Sequence, residues 1–465
     1  MLKKSALILC VAGGVFSSRV HAQQLLTLKQ AIQTALTNYG TIRAKEAYVN
    51  ASKASVRQSV NDYLPDFNLS AQQDYGTVNG LNGPAYGYRG LNTAASGPAL
   101  THQNWNAAFG ALYLANVSWD FFSFGKAREK IRVAQSVLTR DESDLVQERF
   151  QHEVKVAGAY LNLLAAQRLL RSWQNNLERA TSLREVVVQR ALNGLIAGVD
   201  SSQANAELSS ARIALTKARD AEQEQSNILA RLMGVPAQPF SLDTVFITRI
   251  PSSAYDSVAI QEHPILKYYQ SRITLSNQQA KYYRTSSLPT FSVFGLVQGR
   301  GSGFDWNYGQ LNQNLENYSS NYWDGVQSMR GNYLLGLGMI WNLTTPLRVK
   351  HQVSAQHFVS EALKEEYNLA DQQLKAQLVL ADNRMKNALD NYREAPIQVK
   401  SASDAYVQKD VLYKNGLSNI VEVTQALYIV NRSETDRDIA YTNVWQALLL
   451  KAAASGNFDL FLQEF

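Results

Sequence analysis

The sequence contains itself twice. Leu64-Pro65-Asp66-Phe67-Asn68-Leu69 recurs 224 positions later as Leu288-Pro289-Thr290-Phe291-Ser292-Val293. Trp119-Asp120-Phe121 answers to Trp341-Asn342-Leu343 at an offset of 222, and Asn193-Gly194-Leu195 answers to Asn415-Gly416-Leu417 at the same offset. Three matches in one order at a nearly constant spacing identify a tandem duplication, because coincidence among common residues does not hold register over so long a stretch. Whatever one copy folds into, the other must fold into nearly the same thing.

Within each copy the helix breakers are placed unevenly. No proline occurs between Pro98 and Pro236, and no glycine between Gly338 and Gly416. Lys126 to Leu192 and Leu347 to Lys414 are rich in Ala, Leu, Gln, Glu, Lys and Arg, which predicts two very long helices. At 1.5 Å per residue, each is about 100 Å long. Gly194 and Gly416 then mark tight turns, after which Val199 to Met233 and Ile420 to Ala454 read as return helices. Pro396 falls inside the second long helix and is expected to kink it, whereas the first copy has Gln174 at the matching place.

The rest of each copy carries the two-residue period of strands. Phe67, Leu69, Ala71 and Gln73 alternate with polar residues, as do Tyr113, Ala115, Val117, Trp119 and Phe121. The second copy offers Phe291, Val293, Gly295 and Val297, then Tyr333, Leu335, Leu337, Met339, Trp341 and Leu343. These four strands of roughly ten residues, each with an apolar face, have the length of a tilted transmembrane β-strand. Aromatics at their ends, Tyr75, Tyr113, Trp119, Phe121, Tyr333 and Trp341, suit interfacial girdles. A soluble sandwich core satisfies the same alternation. Between the strands of each pair lie loops rich in Gly, Asn and Tyr, Gly76 to Asn106 and Gly299 to Gly331, without the dense Lys/Arg tracking that a nucleic-acid surface needs.

The formal charge of +6 and a pI near 9.1 by themselves invite a nucleic-acid or membrane-surface partner. The first 22 residues account for half of that excess. Lys3 and Lys4 precede an apolar core from Ala6 to Phe16, and Val20-His21-Ala22 ends in a small-residue cleavage pattern, so residues 1–22 read as a secretory signal peptide. The apolar run is shorter than the roughly 20 residues of a spanning helix. Its loss removes Lys3, Lys4 and Arg19 and no acid, leaving a net +3. The single cysteine, Cys10, lies inside that core after Leu9, where a lipoprotein signal requires a small residue. An exported chain without thiols has no Cys-based metal site or disulfide, and six dispersed histidines show no metal-ligand spacing. No nucleophile and base pair, phosphate loop or metal cluster stands at a credible spacing, so neither an enzyme nor a cofactor is expected.

Four strands cannot close a barrel, and an open sheet edge cannot face lipid. The chain must therefore oligomerise if its strands span a membrane: two copies give eight strands with a filled lumen, and three give twelve with room for a pore. Long polar helical hairpins likewise need neighbours to bury their apolar stripes.

In these features the sequence resembles the TolC family of outer membrane efflux and secretion proteins. The resemblance spans almost the whole exported chain. It rests on the Leu-Pro strand starts at Leu64 and Leu288, the aromatic strand exits at Trp119 and Trp341, the turns at Gly194-Leu195 and Gly416-Leu417, and an opening segment, Leu26 to Ile32, like the family's usual first helix. It implies a mainly α fold with β: a homotrimer whose 12-stranded outer-membrane β-barrel, four strands per chain, is continuous with a periplasmic α-helical barrel. On this reading 23–245 is the first repeat, with strands about 66–76 and 110–122 and a hairpin over 126–233. The second, 246–465, has strands about 290–299 and 332–343 and a hairpin over 347–455. Tyr113, Val117, Trp119, Phe291, Leu335, Leu337, Met339 and Trp341 then face lipid.

The resemblance also implies partners and a gate. The hairpin tips, here Gly194, Leu195, Gly416 and Leu417, are the contacts for a periplasmic adaptor fed by an inner-membrane pump, proton-driven or of the ABC type. Glycine at these turns has a plainer role as a left-handed helix cap. Well-studied members carry two aspartates one turn apart on the second return helix. This chain has Glu422 and Gln425 there, giving one carboxylate per copy in the implied ring, with Asp200 as its first-repeat counterpart. Tyr413 and Ser418 match positions that hold closed tips together, although Ser418 stands where relatives have arginine. For each of these residues a solvated helix face is the plainer alternative. The implied function is the exit duct of a tripartite efflux system, with protein secretion by an ABC exporter and a structural periplasm-spanning coiled coil as alternatives.

Overall fold

A computed structural model describes residues 25–80, 97–243, 246, 249–251, 263–310 and 314–464. The expected signal peptide and parts of both Gly/Asn/Tyr-rich loops lie outside the described residues. The elements in order are α1 (Leu28–Asn38), α2 (Gly40–Asn61), β1 (Asp66–Thr77), β2 (Ala107–Phe122), α3 (Lys126–Leu192) and α4 (Gly198–Met233). They continue with α5 (Pro264–Thr285), β3 (Thr290–Ser302), α6 (Tyr322–Val326), β4 (Arg330–Ile340), α7 (Thr345–Lys414), α8 (Ile420–Ser455) and α9 (Asp459–Leu462). Helix, two strands, long helix, return helix: the order repeats, as the duplication requires. Among the described residues no helix is long and apolar enough to cross a membrane.

The long helices α3 and α7 run for 67 and 70 residues. Pro396 does not end α7. It removes one backbone donor, and the helix carries on through it because both flanking stretches hold strong helix formers.

The described residues fall into two compact units. One is drawn from Met1–Ala47, Ser143–Tyr268 and Asn368–Phe465. Its core gathers Leu28, Ala31 and Ala35 of α1, Val156, Ala157, Tyr160 and Leu161 of α3, Leu229 and Ala230 of α4, and Trp445, Leu448 and Ala452 of α8. The alanines leave no bulk between backbones, so the helices pack closely around the large rings. Trp445 is fully buried and meets Phe246 edge to face at 4.9 Å. The start of α1 is fixed by a capping box: Gln30 N–H donates to Thr27 Oγ1, and Thr27 N–H to Gln30 Oε1.

The other unit is drawn from Tyr48–Glu142 and Tyr269–Tyr367. Here α2 is tied to the start of α3 by Lys130 Nζ to Asp62 at 2.6 Å and by a Ser52–Asp141 hydrogen bond. The matching pair, α5 and α7, is tied by Ser276 to Ser360 at 2.8 Å and Arg272 to Glu366 at 2.6 Å. The strands form one antiparallel sheet in the order β1-β2-β3-β4, so the two hairpins lie side by side and, among the described residues, both outer edges, β1 and β4, are unpaired. A register shift between Trp119 and Phe122 bends the end of β2. Trp341 lies just past β4, which ends at Ile340, because Asn342 turns the chain: its side chain accepts from Thr344 N–H at 3.0 Å and its carbonyl from Thr345 N–H at 3.1 Å. The two repeats lock their strand exits alike. Trp119 Nε1–H donates to the Tyr63 carbonyl at 2.9 Å and Trp341 Nε1–H to the Ser287 carbonyl at 3.1 Å, each acceptor standing directly before a Leu-Pro pair.

Candidate functional site

Register assigns every strand residue to a face. Phe67 pairs with Val117, Val117 with Gly295 and Gly295 with Leu335; one step along, Leu69, Ala115, Val297 and Tyr333 form the next row. Trp119, Val293 and Leu337, then Phe291 and Met339, continue the same face. The opposite face is mixed: it carries Asp66, Asn68, Ser70, Gln72 and Asp74 from β1, Asn116 and Ser118 from β2, and Gln298 and Arg300 from β3, together with Leu112, Leu114, Phe294, Leu296, Leu334 and Ile340. The apolar face is bare in one chain: Leu69 is 88% exposed, Tyr333 80%, Leu337 78% and Leu335 76%. Tyr113, Val117 and Phe291 are half-buried in the same face. An apolar sheet face of this size in water invites aggregation unless lipid or protein covers it.

The hairpin ends form the second site. Both turns use one device. Gly194 N–H donates to Ala191 O at 3.0 Å and Leu195 N–H to Arg190 O at 2.9 Å; Gly416 N–H donates to Tyr413 O at 3.0 Å and Leu417 N–H to Leu412 O at 2.9 Å. This is the Schellman closure, which satisfies orphan carbonyls and needs a left-handed residue, supplied by Gly194 at φ 71° and Gly416 at φ 78°. The leucines that follow are thrown outward, Leu195 67% and Leu417 74% exposed.

Behind the turns the two hairpins share a small core of Leu183, Val187, Ala204, Tyr413, Ile420, Val423 and Leu427. Tyr413 is buried in it, and its hydroxyl has no hydrogen-bond partner among the described residues. Burial, with the charge of Asp200 adding to it, pushes its pKa up from the ordinary phenol value. Arg190 of α3 clamps this residue: its guanidinium lies over the Tyr413 ring at 5.3 Å and donates to the Tyr413 and Lys414 carbonyls at 2.7 and 3.2 Å.

Glu422 sits in the first turn of α8. Its backbone N–H donates to the Asn419 side chain at 2.9 Å, the N-cap contact. Its carboxylate accepts from Lys409 Nζ at 2.5 Å and Ser418 Oγ at 3.0 Å. The Lys409 hydrogen bond, then that of Ser418, holds the Glu422 carboxyl below the usual carboxylate range. So the structure brings Glu422 and Ser418 into one network and Asp200 near Tyr413, while Gln425 is exposed and makes no hydrogen bond among the described residues. Lys409, Arg190 and Asn419 were not singled out by spacing or motif. Lys409 had a signal, being as far before the Asn415-Gly416 turn as Glu422 is beyond it. Arg190 had none, because its partner lies on the other hairpin. Among the described residues no group of His, Cys, Asp or Glu is placed to hold a metal ion.

Residues 31–235 match the family model described as outer membrane efflux protein. The chain is similar in structure to the outer membrane protein VceC of Vibrio cholerae, with a TM-score of 0.72 at 18% identity over 92% of this chain and 96% of that one. The CmeC outer membrane channel of Campylobacter jejuni gives 0.71 at 16% identity over 92% and 85%. The open state of the Neisseria gonorrhoeae MtrE outer membrane channel gives 0.70 at 16% over 92% and 89%. No curated protein matches the chain in sequence.

Proposed function

We propose, for a chain whose residues 31–235 match the outer membrane efflux protein family model, the role of outer-membrane exit duct in a tripartite efflux system. The observation that carries the proposal is the four-stranded sheet with one bare apolar face and two unpaired edges. Such a sheet is unstable alone in either solvent. Water meets its apolar face, and lipid meets the unsatisfied N–H and C=O groups of β1 and β4. Pairing β4 of one copy with β1 of the next removes both faults, and three copies close twelve strands around a lumen lined by the mixed face. The face bearing Tyr113, Val117, Phe291, Leu335, Leu337 and Met339 then lies against lipid in the outer membrane, with Trp119 and Trp341 at its border.

In this assembly the long helices extend into the periplasm. The tips at Gly194-Leu195 and Gly416-Leu417 offer protruding leucines to a periplasmic adaptor, which links the duct to an inner-membrane pump. Transport through the duct is passive, since neither sheet nor tips hold chemistry that couples to a fuel. The tips are the gate. Within one chain they are held by the Arg190 clamp and the Lys409–Glu422–Ser418 network, and both must yield or rotate for the tips to splay.

The test uses the absence of cysteine beyond Cys10. Single cysteines scanned along β1 are combined with single cysteines along β4 in the full chain, and membranes are oxidised. Covalent ladders ending at three copies in the outer-membrane fraction are expected; a ladder ending at two, or protein found only in the soluble fraction, overturns the trimeric duct.

A further inference from the structure

We propose that the groove beside the β1 and β2 strand ends binds one acidic phospholipid by its phosphate; the inference rests on the membrane placement of the sheet argued above. The groove, of about 470 Å³, is lined by Tyr63, Phe121, Phe122, Arg128, Ile131 and Arg132 among others, and no carboxylate lines it. It lies at the end of the sheet where aromatics collect. The Trp119 ring stands 6.1 Å from Tyr63 and 6.2 Å from Phe121, and Phe122 lies 6.1 Å from Phe291. An aromatic belt at one end of membrane strands marks the depth of lipid headgroups.

Two cations complete the site. Arg128 and Arg132 are one helical turn apart on α3, so both project on the groove side. Arg132 is paired with Glu129 at 2.6 Å. Arg128 is exposed and has no hydrogen bond or ion pair among the described residues. A guanidinium without a partner beside an apolar trough fits a phosphate carried on acyl chains, since the planar fork binds phosphate oxygens in pairs and the aromatic wall takes the chains. An acidic headgroup is favoured over a zwitterionic one, because with Arg132 paired to Glu129 the groove keeps one uncompensated positive charge, at Arg128, which a net anion neutralises.

The backbone beside the groove is strained. Phe124 has φ 51°, a left-handed conformation costly for a side chain of its size, and its ring is held 4.8 Å from Phe122 and 6.3 Å from Phe291. The second repeat keeps one cation but lacks the aromatic pair and the second arginine. At the offset of 222, Leu343, Thr344, Lys350 and Ser354 stand where the first repeat has Phe121, Phe122, Arg128 and Arg132. Closing the barrel alone does not require this asymmetry, for the Trp-to-backbone lock is common to both repeats.

The experiment reconstitutes the full-length protein into phosphatidylcholine nanodiscs doped with phosphatidylglycerol and counts, by native mass spectrometry, the lipids retained after detergent release. Wild type is expected to keep phosphatidylglycerol over phosphatidylcholine by about ten-fold, the worth of one charge-assisted hydrogen bond. R128Q/R132Q should lose the preference, R128K/R132K should keep part of it, and K350Q should leave it intact. Equal retention of the two lipids, or a preference unchanged in R128Q/R132Q, overturns the inference. So does a cysteine at Ile131 that cross-links efficiently to a second copy, which would show protein filling the groove. Planar-bilayer conductance of wild type and R128Q/R132Q separates the two levels. Conductance without lipid preference sinks only this site, whereas protein that enters no bilayer sinks the membrane placement itself.

Discussion

The two hairpin tips descend from one sequence and close by the same Schellman hydrogen bonds, yet the helices that leave them are anchored differently. In the second, α8 starts from Asn419, whose side chain caps it, and the carboxylate of Glu422 gathers Lys409 and Ser418 around the first turn. In the first, α4 starts from Ala197, which has suitable extended backbone but no capping side chain. At the shared offset Val187 stands for Lys409, Asp200 for Glu422 and Ile196 for Ser418. The first tip replaces a polar network with apolar contact: Val187 and Ile196 both join the small core around Tyr413. Duplication preserved the turn, which backbone geometry fixes, while the side chains around it diverged into one tied hairpin and one packed against it.

The comparison can be broken most severely at Tyr413, whose first-repeat counterpart is Ala191. Tyr413→Ala is expected to cost about 3 kcal/mol of local stability, as for a truncated buried ring, and to raise amide exchange through the first turns of both return helices. Exchange raised in α8 alone would show that the tips do not share a core. Arg190→Ala removes two charge-assisted hydrogen bonds and a ring contact, and about 2 kcal/mol is expected, read as faster exchange at Asn415 to Leu417 with little change at Asn193 to Leu195.

Acid separates the tips by charge. The Glu422 carboxyl titrates below its unfolded value, so its contribution is complete above the ordinary carboxylate range and is lost as the pH falls through the lowered folded pKa. Amide protection at the start of α8 should therefore fall in acid towards that of α4, and Glu422→Gln should show the reduced protection already at neutral pH. The smallest effect sharpens the contrast from the other side. Ala197→Asn supplies the missing cap and is expected to stabilise the start of α4 by about 0.5 kcal/mol in the same exchange measurement.

Much of the architecture was legible because it follows from periodicity. The alternation at Phe67 to Gln73 and Tyr333 to Leu343, and the long stretches without proline in the first copy and without glycine in the second, are properties of the chain read locally, and the mainly helical fold with four strands follows from them. The strand order, with β2 beside β3 across the repeats, was not legible, since alternation says which face a residue takes and nothing of which strand lies next to it. The tip residues show the same division. Gly194 and Gly416 announce their turns, and Lys409 is found by counting back from Gly416. Arg190 meets Tyr413 across 223 positions, and only the packing of one hairpin on the other creates that contact. The aromatic and arginine groove was hidden for another reason: Phe121 and Phe122 both turn to one side only because the register shifts after Trp119.

A duct closed at its tips is tested most directly by single-channel recording of the purified full-length protein in planar bilayers. Discrete steps are predicted for wild type, with larger steps for Glu422→Ala, which breaks the network with Lys409 and Ser418, and for Tyr413→Phe, whose hydroxyl is buried in the tip core without a hydrogen-bond partner among the described residues. Steps of unchanged size in both variants would contradict the gate, and a protein that never conducts would contradict the duct.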